Sequence, residues 1–275
     1  MTRIINRKPS RISRLLLGLL PFVLLIAVYM MASQARLVDN PNDKLLPAMT
    51  SFVDAIQRMA FEPSKRTGDY LMLADTLASL TRLITGVTIS ALLALTIGIA
   101  NGMVPFVRAP MSPLVTALSL VPPMAILPIL FIVFGLGELS KVMLIIIGIC
   151  PIMIRDLQLR TDALPQEQIL KAQTLGASSW QTIVGVVLPQ ILPKLIESVR
   201  LTLGSAWLFL IAAEAIAATE GLGYRIFLIR RYLAMDVILP YVLWISLLAF
   251  VMDWLLRKFS SYAFRWYHQE QGEGE

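Results

Sequence analysis

The chain has 275 residues, of which 57% are hydrophobic and only 15% charged, with a formal net charge of +6 and a mean hydropathy of +0.72. Soluble domains carry about 25% charged residues, so this balance excludes an ordinary soluble enzyme and leaves little chain for a soluble catalytic domain. The sequence reads as an all-α polytopic integral membrane protein.

Residues 15–35 lie between Arg14 and Arg36 without a charge, enough for one helix across a hydrocarbon core of about 30 Å. The basic tail 1–14, with Arg3, Arg7, Lys8, Arg11 and Arg14, would also suit a secretory signal. No small-residue cleavage site follows at once, so an uncleaved anchor is expected. Residues 36–82 form a loop with six basic and six acidic residues. Within it, 50–61 places Phe52, Val53, Ile56, Met59 and Ala60 at helical spacing opposite Asp54 and Arg58, the pattern of a surface-lying helix. Residues 61–68 read as a turn and 75–83 as an interfacial lead-in. The loop lacks a ligand-like cluster for binding substrate.

Further spans are expected at 83–107, 114–136, from Leu139 to about Leu157, at 201–219 and at 237–256, making six with the first. Pro122, Pro123 and Pro128 interrupt the third, because each removes a backbone donor and disfavours helix at the residue before it. Broken helix is tolerated at membrane depth where it faces protein or a water-filled path. Pro122, Pro123, Met124, Leu127 and Pro128 are therefore candidates for a translocation pathway or gate, a kinked packing helix being the plainer alternative. The N-terminal basic cluster, with Arg257, Lys258 and Arg265 after the last span, places both termini in the cytoplasm. The Arg108 loop and the 155–200 loop then lie inside, and the 36–82, 135–141 and 220–236 segments outside.

The 155–200 interval is amphipathic. Pro165 can open a helix over 166–174, with Asp162 or Thr161 as capping chemistry. Gly176 allows a turn, and Ser178 or Ser179 can cap a second short helix through Trp180, Ile183 and Val184. Pro189 and Pro193 punctuate the return to the membrane. Leu170, Leu175, Trp180 and Ile183 form an apolar side too small for a core of its own, which needs either a partner groove or the chain's own spans. Glu214 lies roughly 20 Å along the fifth span from Arg200. An acid there must be paired, hydrated or protonated, serving a gate or hydrogen-bond network, a cap for the 221–223 turn, or recognition of a cationic group. Asp253 and Arg257 have the i, i+4 spacing of a local ion pair.

These segments resemble a family. Permease subunits of bacterial ATP-binding-cassette importers carry a cytoplasmic loop with Glu-Ala-Ala, a following Gly and a closing Ile-x-Leu-Pro. Here Ala172 stands at the second Ala, Gly176 at the Gly, and Val186, Val187, Leu188 and Pro189 at the close. Leu170 and Lys171 stand where the family has Glu and the first Ala, so the acidic contact is not carried over. VPPMAILPILFIVFGL at 121–136, KAQTLG at 171–176 and AEAIAATEGLG at 213–223 are similar to the nitrate, sulfonate and taurine branch. The resemblance spans about residues 70–260.

What the resemblance implies is a type I importer permease fold with six transmembrane helices: a first span at 15–35, a periplasmic loop at 36–82, and a core at 83–258. That core contains a coupling loop at 158–196, and a cytoplasmic tail follows at 259–275. Leu170, Lys171, Ala172, Leu175, Gly176, Trp180, Ile183, Leu188 and Pro189 would bind an ATPase. Expected partners are two cytoplasmic ATPase subunits, a periplasmic solute-binding protein, membrane lipid and a second permease copy, since no internal repeat supplies a second loop. Arg225, Arg230 and Arg231, beside Tyr224, Phe227 and Tyr232, would meet the binding protein or, more plainly, lipid headgroups. The location implied is the bacterial inner membrane. The solute implied is a small anion such as nitrate, a sulfonate or taurine, with a neutral or heteroaromatic precursor as the alternative.

The chain should not hydrolyse ATP. No G-x-x-x-x-G-K-[ST] loop is present, and Gly98, Gly102, Gly135 and Gly137 lack the required Lys. ATP and Mg belong to the partner ATPase, and no cofactor is expected on this chain. Cys150 and His268, the sole thiol and imidazole, exclude an intrachain disulfide and give neither a metal set nor a catalytic pair. An intramembrane enzyme would need a base that the apolar stretches do not offer, and a non-transporting scaffold would bind no ATPase. The basic cluster lacks interleaved aromatics, which points to anionic lipid and topology rather than nucleic acid.

Overall fold

The computed structural model describes residues 10–40, 43–64 and 68–267, and every regular element among them is helical. Arg3, Arg7, Lys8 and His268 lie outside the described residues. In chain order the helices are α1 (Arg11–Asp39), α2 (Met49–Ile56), α3 (Leu71–Met103), α4 (Pro105–Leu120), α5 (Pro123–Phe134), α6 (Glu138–Asp162), α7 (Gln166–Thr174), α8 (Ser179–Thr182), α9 (Leu188–Ala217), α10 (Leu222–Arg230) and α11 (Met235–Ala263). Five helical stretches among the described residues are long and apolar enough to cross a membrane, or six when the bent pair α4 and α5 counts as one.

The core forms where α3 meets α6. Gly86, Ser90, Ala94, Gly98 and Gly102 recur every fourth residue along α3, so one face carries almost no side chain. A Cβ on Gly86 would lie 2.9 Å from Ile145, one on Gly98 2.8 Å from Leu157, and one on Gly102 2.5 Å from Thr161. Close backbone approach of this kind supplies dispersion contact where lipid removes the hydrophobic drive between helices. Gly148 of α6 takes the Phe209 ring of α9 in the same way. Leu144, Ile145, Ile149, Met153 and Leu157 of α6 are fully buried, and α9 and α11 close the layer beyond.

Two helix boundaries differ most from the sequence expectation. α3 begins at Leu71 rather than near residue 83, and ends at Met103. The charges of its first turns, read as an interfacial ramp, are paired internally, so they do not terminate the span. At its other end Val104 is extended (φ −116°, ψ 103°), as a residue before proline must be, and Pro105 opens α4. The second difference is that the helix reaching Ala217 starts far earlier than residue 201. Ser179–Ala217 runs on through Pro189 and Pro193. Pro189 offers no N–H to the carbonyl four residues back, and the chain passes it in a wide π-type turn over Ile183–Val187, where the Leu188 N–H bonds the Ile183 carbonyl.

α1 stands apart. Its long apolar window is unburied within the chain, and it is tethered at one end by Tyr29 Oη to the Pro47 carbonyl (2.8 Å) and Ser33 Oγ to the Leu46 carbonyl (3.0 Å). The amphipathic helix expected at 50–61 is present as α2 with a π-type continuation to Phe61, and it lies along α11 with Ala55 buried.

Candidate functional site

The candidate residues fall in three places: the segment between α6 and α9, the break between α4 and α5, and a buried polar cluster at the far end of α9. In the first, α7 starts after Pro165 without a side-chain cap; Thr161 and Asp162, expected to cap it, belong to the last turn of α6. The end of α7 is a Schellman motif. The Gly176 N–H bonds the Gln173 carbonyl (2.9 Å) and the Ala177 N–H bonds the Ala172 carbonyl (3.0 Å), with Gly176 at φ +85°, a left-handed position that favours glycine. Ser178 then starts α8 with a capping box: its hydroxyl accepts from the Gln181 N–H, and the Gln181 side chain accepts from the Ser178 N–H.

This shelf divides the expected apolar set in two. Ile183 and Leu188 pack against the chain's own core. Leu170, Leu175 and Trp180 stay in the open, Leu175 at 88% and Trp180 at 72% exposure, so the chain itself does not cover them. Lys171, Gly176 and Pro189 are exposed as well, and Ala172 is half-buried.

At the break, α4 and α5 meet at 98°, with Pro122 as N-cap of α5 and Pro123 in its first turn. Pro128 continues inside α5 without ending it. Met124 is exposed, whereas Leu127 is 2% exposed and built into the core, which removes it from any surface facing a path in this conformation.

The polar cluster centres on Glu214, fully buried. Its carboxylate accepts from Arg82 Nη1 (2.8 Å), from Ser79 Oγ (2.8 and 2.9 Å) and from the Gly223 N–H (2.9 Å). Arg82 also binds Glu138 through two nitrogens and donates to the Glu220 carbonyl (2.9 Å), and Lys141 joins Glu138 at 2.7 Å. Two turns before Arg82 on α3, buried Asp75 accepts from the Gly221 N–H (3.0 Å), Arg225 Nε (2.8 Å) and Tyr241 Oη (3.2 Å). Ser79 Oγ accepts from the Leu222 N–H (2.9 Å). The first turns of α3 thus satisfy the free N–H groups at the start of α10, and Trp244 Nε1 donates to Thr76 Oγ1 (3.0 Å) to include α11. Gly221 has φ +124°, and a Cβ there would sit 2.6 Å from the Glu214 carboxyl carbon. Glycine is required by both torsion and space.

Residues 78–261 match the family model described as binding-protein-dependent transport system inner membrane component. The chain belongs to this family. It is 37% identical over 194 residues, 70% of each chain, to the taurine transport system permease protein TauC of Escherichia coli (strain K12). It is 30% identical over 190 residues to the bicarbonate transport system permease protein CmpB of Synechococcus elongatus, covering 66% of this chain and 68% of that one. In structure it is similar to a chain of the MetNI methionine ABC transporter in an inward-facing conformation, with a TM-score of 0.64 at 16% identity over 72% of this chain and 98% of that one. That likeness establishes the type I ABC-importer permease fold. This membrane component lacks the ATPase phosphate loop in its own sequence.

Within the permease, sequence reasoning found Glu214 and its tie to the 221–223 turn, but missed Asp75, Ser79 and Arg82. Their spacing was the available signal: at i, i+4 and i+7 they share one helical face. The 220–236 segment, read as a loop, contains α10. Arg225 is a correction to the external set. Its side chain is 15% exposed and paired with Asp75, so it faces inward; burial alone would lower its pKa, and the Asp75 contacts reverse this to a net rise. Arg230 lies over the Phe227 ring (5.0 Å), and it and Arg231 remain exposed. Asp253 does bond Arg257 (3.2 Å), but its shorter partner is Arg200 of α9 at 2.7 Å.

Proposed function

We propose that this permease is the membrane path of an ATP-driven importer that moves a small anionic solute from periplasm to cytoplasm by alternating access. In this reading two copies related by two-fold symmetry surround the path. The shelf Leu170–Pro189 docks a cytoplasmic ATPase on each copy, and both chain termini lie on the shelf side. The ATPases bind ATP and Mg, and a periplasmic protein delivers solute to the opposite face, where Arg230 and Arg231 meet that protein or lipid headgroups. Relatives named for the transport of taurine, which carries a sulfonate, and of bicarbonate support a solute with an anionic oxygen group.

The observation that carries the reading is the exposure of Leu175 and Trp180 on a rigidly capped shelf. Two large apolar side chains held out from the fold by a Schellman turn and a capping box serve as anchors for a groove on another chain. A buried interfacial tryptophan contributes about 2 kcal/mol or more when truncated, roughly a thirtyfold loss of affinity. Trp180→Ala in the reconstituted complex is therefore expected to release the ATPase or to leave ATP hydrolysis running without uptake. Intact assembly with the normal ratio of solute moved to ATP consumed would refute the docking role.

A further inference from the structure

Arg155 of α6 lies on a spanning helix in circumstances unlike those of the paired basic residues around it. Arg82, Lys141, Arg160 and Arg200 all pair with carboxylates. Arg155 has no carboxylate within ion-pair distance among the described residues. Among the described residues its one hydrogen bond runs from Nη1 to Ser119 Oγ (2.9 Å) on the last turn of α4, and the side chain is exposed on the surface of the chain. Ser119 in turn donates its hydroxyl proton to the Thr116 carbonyl (2.8 Å). Its oxygen is therefore fixed as an acceptor, holding the guanidinium in place and leaving the Nε and Nη2 donors unused.

The direction of the side chain decides between two uses. An arginine near a helix end ordinarily snorkels toward the headgroups. α4 and α6 are matched by Arg108 to Asp162 (2.8 Å) and by Gln158 Nε2 to Ser112 Oγ (3.5 Å), which fixes them as antiparallel with the Asp162 end nearest the shelf. From Arg108 to Ser119 the chain rises roughly 16 Å, and from Asp162 back to Arg155 roughly 10 Å. The guanidinium therefore points away from the shelf end, deeper along the spans, to the turn immediately before the Val121–Pro122 break. Charge aimed into the spans on an uncovered face is costly against hydrocarbon and acceptable against water or an anion.

We infer that Arg155, positioned by Ser119 beside the α4–α5 break, is an anion-binding residue on the permease's own translocation surface, taking the paired oxygens of a sulfonate, carboxylate, nitrate or bicarbonate group. Guanidinium donors match such coplanar oxygens in bidentate fashion. The inference rests on the importer reading above and adds to it a contact that selects the class of solute.

The test uses the full complex with its ATPases and binding protein in liposomes. ATP-dependent uptake is measured for labelled taurine, methanesulfonate, nitrate, bicarbonate and a neutral amide, together with ATP hydrolysis and complex assembly. Arg155→Ala is expected to lower uptake of the transported anion at least about tenfold, the loss of one charge-assisted bond, while assembly and basal hydrolysis persist. Arg155→Lys keeps the charge and should recover part of the uptake, and Ser119→Ala should raise KM more than it lowers kcat. Unchanged anion uptake in Arg155→Ala, a wild type that moves only the neutral solute, or collapse of assembly in both Arg155 variants would each overturn the inference. A wild-type complex with no ATP-dependent uptake of any solute would instead bring down the importer reading itself.

Discussion

Glu214→Gln isolates what the buried cluster contributes, because it keeps shape and removes charge. The carboxylate has two oxygens, and each faces an N–H donor: one Arg82 Nη1, the other the Gly223 amide, with the Ser79 hydroxyl between them. However the amide is turned, its NH2 opposes a donor. The variant therefore loses a charge-assisted bond and leaves a buried N–H without an acceptor. Breaking a buried ion pair from one side costs about 3–5 kcal/mol. The lower end applies, since Arg82 keeps Glu138 and the Glu220 carbonyl. About 3 kcal/mol corresponds to roughly a hundredfold in an opening equilibrium. Hydrogen exchange of the permease in nanodiscs reads this directly: peptides covering Leu222 and Gly223 should exchange roughly a hundredfold faster, while those around Ile149 in the α3–α6 core keep wild-type protection. Unchanged exchange at Gly223 would refute the assignment, and equal acceleration in both regions would show that Glu214 supports the whole fold rather than the start of α10.

Gly176→Ala forces a side chain into φ +85°, at a cost of about 1–2 kcal/mol, with open space around the position so that torsion alone is changed. Limited proteolysis should detect a loosened shelf and transport assays a lower coupling ratio, whereas Gly176→Asn, which tolerates the left-handed region, should behave close to wild type. Gly221→Ala adds a clash at 2.6 Å from the Glu214 carboxylate to the strain of φ +124°, so a loss of at least about 2 kcal/mol is expected. Its thermal unfolding midpoint in detergent should fall below that of Gly176→Ala, and the reverse order would count against the packing described for the turn.

What the sequence made legible is what rests on local chemistry. Pro165, Gly176 and Ser178 act within a few residues of themselves, and the α7–turn–α8 geometry follows their placement closely. The Pro122–Pro123 break is equally local. The buried cluster was legible only at Glu214, because an acid inside an apolar run stands out by itself. Asp75, Ser79 and Arg82 did not, since a charge near the end of an apolar run reads as a boundary until its partners are known. Those partners lie on α6, α9 and α10, far away in sequence. Arg225 was misread for the same reason: an arginine among aromatics suits a lipid interface, and only the folded chain brings Asp75 to it.

The same helix ties the two ends together. From Ser179 on the shelf to Glu214 the continuous helix extends roughly 50 Å, interrupted only by the wide turn at Ile183–Val187. It is packed against α6, with Glu197 paired to Arg160 and Phe209 seated on Gly148, so a bend is easiest at the wide turn and hardest at the buried end. Under the proposed coupling, a push on Trp180 therefore reaches the Glu214 cluster as a tilt or shift of a stiff rod rather than as a local change of helix. The cluster resists that shift through ion pairs to α3 and hydrogen bonds to α10, and those contacts are directional, so a small displacement breaks them in full. In that reading the cluster sets the threshold for movement: α10 and α3 shift with α9 only when Arg82 and the Gly223 amide release the Glu214 carboxylate.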